Sequence, residues 1–317
     1  MNTSKQFAAD LRKEFFKYSS SAAFAEIAQF RALQSAFGAL KPKFQVEEYH
    51  GTRRQVYFDT TQPWLRPRAR CELCDLLIIS YSTSGRIEVR LMLLQAKLSR
   101  NTHGNLCCPS TGLHHKPTQF RGNYEQWDLL SARPRLDPTS VFAPPPDLLR
   151  NALVPSIGTF GVFHRLSSGS IDMFYASADT LQPAGIPTGQ YGKLTTTLAP
   201  RRRIFSGFQD NPLCCCLFTF GKSLFELHLG SPVISKTVTG DVIINEPLAS
   251  FARGILSSYL RETAESSALA PEVLELIGDS SDHTDSNEPL PDLIILKGNG
   301  TDSDTNFNRE EHEPWID

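Results

Sequence analysis

Apolar residues recur at three- and four-residue steps near the start of the chain: Phe7, Leu11, Phe15 and Tyr18, then Phe24, Ile27, Phe30, Leu33 and Phe37. That period predicts helix over 5–40 in two pieces. Ser19-Ser20-Ser21 is placed to cap the second, and Gly38 with Pro42 to end it. Residues 44–70 are mixed, with short strands punctuated by Pro63 and Pro67. Two continuous apolar runs follow, Leu73 to Tyr81 and Ile87 to Leu98, joined by Ser82-Thr83-Ser84-Gly85-Arg86. They predict a β-hairpin, and their unbroken apolar character predicts helices covering both faces. A polar loop is expected over 101–117, a helix over 119–131 and a Pro-rich connector over 134–146.

A second α/β stretch is expected from 155 to 260, with strands at 158–164, 171–176, 215–219 and 240–244 and a helix over 247–262. A short helix is expected over 271–277. Beyond Gly278 the chain is rich in Asp, Ser, Asn and Thr and is expected to be mobile. Leu290 to Leu296 is an apolar interruption there, suited to docking against the body. The expected organisation is an α/β catalytic domain over 1–150, an α/β extension over 151–262 and a largely disordered acidic tail over 263–317.

Charge changes this picture. The formal net charge of −2 hides an uneven distribution. Residues 262–317 hold 15 of the 34 acidic groups against Lys297 and Arg309, about −13 in all, whereas residues 1–261 carry 30 basic and 19 acidic groups, about +11. A basic body points to a polyanionic partner. The acidic tail has two readings, a DNA mimic lying over the basic body or a solubilising end. No run approaches the roughly 18 apolar residues of a membrane span. The seven cysteines include the runs Cys107-Cys108 and Cys214-Cys215-Cys216, poor disulfide frameworks, so a reducing cytoplasm and no membrane are expected.

The candidate chemistry sits in the hairpin. Asp75 heads the apolar strand, and Gln95-Ala96-Lys97 ends its partner. Residues two apart on a strand share a face, so Gln95 and Lys97 point together. Closure through 82–86 sets Asp75 near Leu93, one step from Gln95. Asp75, the Gln95 amide oxygen and the Ala96 carbonyl are hard oxygen ligands suited to Mg²⁺. Lys97 is suited to orient or deprotonate a water, or to offset charge on a phosphate in reaction. A phosphodiester is the substrate that needs this combination.

The pattern Asp75…Gln95-Ala96-Lys97 across a hairpin resembles the PD-(D/E)XK, or restriction-endonuclease-like, superfamily. It is most similar to members in which Gln replaces the second carboxylate, as in Mrr-type restriction enzymes and bacterial antiphage effector nucleases. The resemblance covers roughly residues 5–131. It implies a mixed central sheet flanked by helices, catalytic Asp75, Gln95 and Lys97, a Mg²⁺ or Mn²⁺ cofactor, and cleavage of DNA in a prokaryotic defence system. It further implies a sensor or ATPase partner and a homo-oligomer. Superfamily members often add an acid from the first helix; Glu14 or Glu26 matches, with Glu14 preferred. Cys74, not Pro, precedes Asp75. The missing carboxylate keeps a second reading open, a non-cleaving nucleic-acid-binding or scaffold subunit of the same fold. A third is a protein-interaction module that works through its tail.

Nucleic-acid contacts are expected from Arg66, Arg68 and Arg70, spaced to share one side of an extended segment, and from Lys193 with Arg201, Arg202 and Arg203. Cys71 and Cys74, with the other cysteines and His103, His114 and His115, invite a zinc reading, but contiguous cysteines fit buried packing better. His114, His115 and Lys116 are further candidates for substrate contact. Trp127 and Gln119 read as packing and capping residues. No phosphate-binding loop and no nucleophile elbow occur.

Overall fold

The computed structural model describes residues 4–40, 44–47, 54–103, 119–197, 203–205, 207–236, 242–262, 269–278 and 293–298. The chain opens with two helices, α1 (Ser4–Ser21) and α2 (Glu26–Ala39). The break falls after the serine triplet, and α2 is preceded by Ala25 with no side-chain cap. Strands β1 (Phe44–Glu47), β2 (Gln55–Asp59), β3 (Arg68–Glu72), β4 (Leu76–Ser82), β5 (Ile87–His103) and β6 (Gln119–Asn123) follow, then α3 (Tyr124–Ala132). Next come β7 (Gly158–Leu166), β8 (Ile171–Ser177), β9 (Leu181–Pro183), β10 (Tyr191–Thr196), β11 (Arg203–Phe205), β12 (Phe208–Asp210) and β13 (Leu213–Cys214). Helix α4 (Leu217–Phe225), strands β14 (Ser231–Lys236) and β15 (Val242–Ile244), helices α5 (Glu246–Glu262) and α6 (Leu269–Ile277) and strand β16 (Leu293–Lys297) complete the series.

The architecture is α/β. A nine-stranded mixed sheet runs β1-β16-β4-β5-β7-β8-β13, with β14 and β15 attached along the first half of β5. The β4–β5 hairpin is the expected one, but its register is Leu76↔Leu94 through Ser82↔Glu88. That pairing sets Asp75 level with Gln95, not Leu93. The turn keeps five residues but lies one further along, over 83–87, where Gly85 has φ +67° and the Ser82 hydroxyl accepts from the Ser84 amide.

Alternate residues of β4 feed opposite cores, as the apolar runs require. Leu76 and Ile78 pack with Phe15, Phe37 and Phe220 from α1, α2 and α4. Leu77 and Ile79 pack with Phe251, Ile255 and Val273 from α5 and α6. A third core joins Trp127 and Leu130 of α3 to Phe160 and Phe174. Helices thus cover both faces, and no helix among the described residues is long and apolar enough to cross a membrane.

Several expectations need correction. The sheet crosses both expected boundaries: β5 pairs with β7 and β14, and β16 lies between β1 and β4. The tail therefore begins later than residue 263, since α6 and β16 are packed parts of the body. Leu293, Ile294, Ile295 and Leu296 are all buried, so the apolar interruption docks as a central strand parallel to β4. Residues 215–219, expected as a strand, start α4, because Cys216 and Thr219 cap one another there. Residues 119–123, expected as the start of a helix, are instead strand β6, and Asn123 caps α3 by accepting from the Glu125 amide. The polar loop begins later than expected, because β5 extends through His103.

Candidate active site

The N-terminal end of β4 and the C-terminal half of β5 place the candidate groups. The Asp75 amide donates to the Leu94 carbonyl (3.0 Å), which extends the hairpin by one rung. The Ala96 amide donates to Asp75 Oδ2 (2.7 Å), which fixes the carboxylate against β5. Lys97 Nζ lies 3.9 Å from Asp75 Oδ2 and 3.7 Å from Glu26 Oε1 and donates to the Ala96 carbonyl (2.7 Å). The lysine side chain is only 11% exposed, so its charge is held by those three oxygens rather than by water.

Gln95 is fully buried. Its Nε2 donates to the Glu72 carbonyl (3.3 Å), and its Oε1 has no hydrogen-bond partner among the described residues. An orphaned buried amide oxygen costs about 1–3 kcal/mol. Evolution of a purely structural glutamine at this position would therefore need another benefit, and a ligand contact supplies one.

Glu26 is the acid that completes the group. It is the first residue of α2, and its carboxylate also meets the Leu98 backbone amide. Burial pushes the Glu26 carboxyl above its usual range, Lys97 opposes that rise and Asp75 adds to it. Of the two acids that the sequence matches, the structure brings Glu26, not the favoured Glu14, to Lys97. Glu14 pairs with Lys17 (3.3 Å) one turn along α1.

Two carboxylates and an amide oxygen form a hard donor set that fits Mg²⁺ or Mn²⁺. Asp75 Oδ2 is already engaged, which leaves Oδ1 for such a role, and the Ala96 carbonyl shares its lone pairs with Lys97. Among the described residues, no group of three or more His, Cys, Asp or Glu side chains is arranged to hold a metal. A zinc centre is thus not seen among them, and the five described cysteines are buried and form no disulfide with one another.

Glu26 and Lys97 open onto a cleft of about 940 Å³. Arg100, Arg121 and Lys193 also line it, so Glu26 is the one acid against four cations among the described lining residues. Of the expected nucleic-acid contacts, Lys193 alone is on this wall. Arg66 is committed elsewhere, in a two-point ion pair with the buried Glu125 (2.7 and 2.6 Å). Arg68 pairs with Asp137 (2.9 Å), and Arg68 and Arg70 both lie over the Tyr57 ring. Their exposure on one side of β3 matches the expected alternation. Arg203 pairs with Asp179, and Arg201 and Arg202 lie outside the described residues, as do His114, His115 and Lys116. Trp127 is buried and donates to the Ala178 and Leu181 carbonyls, a packing role as expected. Arg100 and Arg121 were missed; nothing in their spacing separates them from ordinary surface arginines.

Comparison with known proteins finds no matching family model, no matching curated protein and no matching solved structure.

Proposed function

We propose that the chain is a metal-dependent phosphodiesterase acting on DNA, an endonuclease of the restriction-endonuclease-like kind. The observation that carries the reading is Lys97 Nζ held within 4 Å of both Asp75 and Glu26 at a basic cleft, two residues along the strand from the buried Gln95. Asp75, Glu26 and Gln95 would hold a divalent cation. Bound there, Mg²⁺ or Mn²⁺ supplies charge neutralisation at the scissile phosphate and a more acidic water. Lys97 stabilises charge that builds on the phosphoryl oxygens, and the carboxylates keep the lysine protonated and aimed. Glu26, with its raised affinity for protons, is placed to take one from an attacking water. The cleft cations orient the phosphate backbone. A role as a prokaryotic defence effector belongs to the same proposal and rests on the resemblance of Asp75, Gln95 and Lys97 to that superfamily.

Purified protein and its Lys97→Ala variant, incubated with Mg²⁺ and either plasmid or single-stranded circular DNA, test the reading. Loss of cleavage by at least about a hundredfold in the variant is expected. Equal cleavage by both overturns it. Salt-sensitive DNA binding with no metal-dependent cutting by either protein supports the second reading, a non-cleaving binding subunit.

A further inference from the structure

Strands β6 and β10 form one wall of the cleft, and their register decides what faces it. Arg121 sits directly opposite Lys193, both exposed. Like charges directly opposite on an antiparallel pair repel, and nothing in the ladder itself offsets the repulsion. On the same face, one pair further along, Asn123 opposes Tyr191, whose side chain stands in solvent although it is a large aromatic (59% exposed). The intervening pair is Gly122 opposite Gly192. A Cβ on Gly192 would fall 2.1 Å from the Tyr124 hydroxyl, and one on Gly122 would fall 2.7 Å from the Leu194 side chain. Glycine at 192 thus lets Tyr124 tuck beneath the ladder, where its hydroxyl donates to the Lys193 carbonyl (3.1 Å), and glycine at 122 leaves room for Leu194. The cation pair and the exposed ring stand on a braced platform.

A cation pair with no anion partner among the described residues, next to an exposed aromatic ring, is the arrangement that recognises one phosphate and the base beside it. Bases inside a duplex offer no free face for stacking, whereas unpaired bases do. We infer that the wall formed by Arg121, Lys193 and Tyr191 binds single-stranded nucleic acid, the cations taking a backbone phosphate and Tyr191 stacking on the adjacent base. This rests on the phosphodiesterase reading and narrows it: the strand delivered to Lys97 is unpaired.

The test is fluorescence anisotropy in EDTA, where no cutting occurs, so binding is read apart from cleavage. Labelled oligothymidylate and oligouridylate of about 15 nucleotides are compared with a blunt duplex. Single strands bind at least about tenfold more tightly than duplex. Tyr191→Ala weakens single-strand binding about tenfold, while Tyr191→Phe keeps it. Lys193→Ala reduces the slope of log affinity against log salt by about 0.7. The DNA and RNA arms distinguish which backbone is preferred. All three side chains are solvent-facing, so the variants fold. Duplex bound as tightly as single strand, or Tyr191→Ala equal to the parent, overturns the inference. A platform that binds in a protein that never cuts leaves this inference standing and removes only the nuclease. Cutting that persists unchanged in Tyr191→Ala, with unchanged binding, does the reverse.

Discussion

Glu26 Oε1 and Lys97 Nζ lie 3.7 Å apart, joining the first residue of α2 to the end of the motif strand. The contact brings an acid from a helix to a lysine whose other carboxylate neighbour among the described residues is Asp75. Glu26→Gln should lower metal-dependent cleavage about a hundredfold, while Glu14→Gln leaves it within about twofold. Cleavage unchanged in Glu26→Gln removes Glu26 from the reaction.

Gln95→Glu places a charge at a wholly buried position. Without metal the variant should melt below the parent, because an unpaired buried carboxylate is costly. With millimolar Mg²⁺ it should recover more than the parent gains, since a bound cation stabilises by mass action. Thermal denaturation of both proteins with and without Mg²⁺ measures this, and identical Mg²⁺ shifts argue against a cation at Gln95.

Arg66→Ala should act on stability and not on nucleic-acid affinity. It strips the partner from the buried Glu125, which then keeps only Gln190 (2.8 Å) among the bonds described above and here. The cost should be about 2 kcal/mol, below that of wholly buried pairs because the Arg66 side chain is half-exposed. Urea unfolding and the anisotropy assay together check it; weakened binding at full stability would restore Arg66 as a contact.

Asp210 is buried beside Tyr175, and burial raises its carboxyl to about 6, with Ser156 and Arg90 pulling it back. The folded protein therefore holds a proton that the unfolded chain releases near 3.8. Stability from this group is full below that lower value, falls as pH rises to about 6 and then levels, a span of about 3 kcal/mol. Asp210→Asn should remove that decline, stabilising the protein at pH 8 far more than at pH 4 in urea titrations. An equal effect at both pH values would contradict the assignment.

Ile295→Ala should destabilise by about 2–4 kcal/mol, because the side chain is wholly buried between α5, α6 and the sheet. Truncation after Leu260 should abolish folding, whereas truncation after Gly298 should not. Circular dichroism separates the outcomes.

The hairpin and most of the helices were legible because their periods are strong and long. Asp75 and Lys97 come within 3.9 Å because the hairpin sets Asp75 level with Gln95, two residues before the lysine. The register differs by two because the five-residue turn lies over 83–87, one residue beyond the stretch that composition marks out. Short apolar runs misled: Cys215 to Thr219 reads equally as strand or helix, and only the reciprocal cap at Cys216 decides. Glu26 over Glu14 depends on how α2 docks on β5, and the Arg121–Lys193 pair depends on a ladder between strands far apart in sequence. Neither carries a local signal.

The placement of β16 bears on how the fold forms. Leu293 pairs with Leu77 on the strand that Asp75 heads, so β4 takes one of its two neighbours from a segment far along the chain. Such a distant pairing is slow to form. During synthesis that edge of β4 stays open until β16 emerges and docks. On the nuclease reading proposed above, a growing chain is held from cutting the nucleic acid around it until that strand is in place.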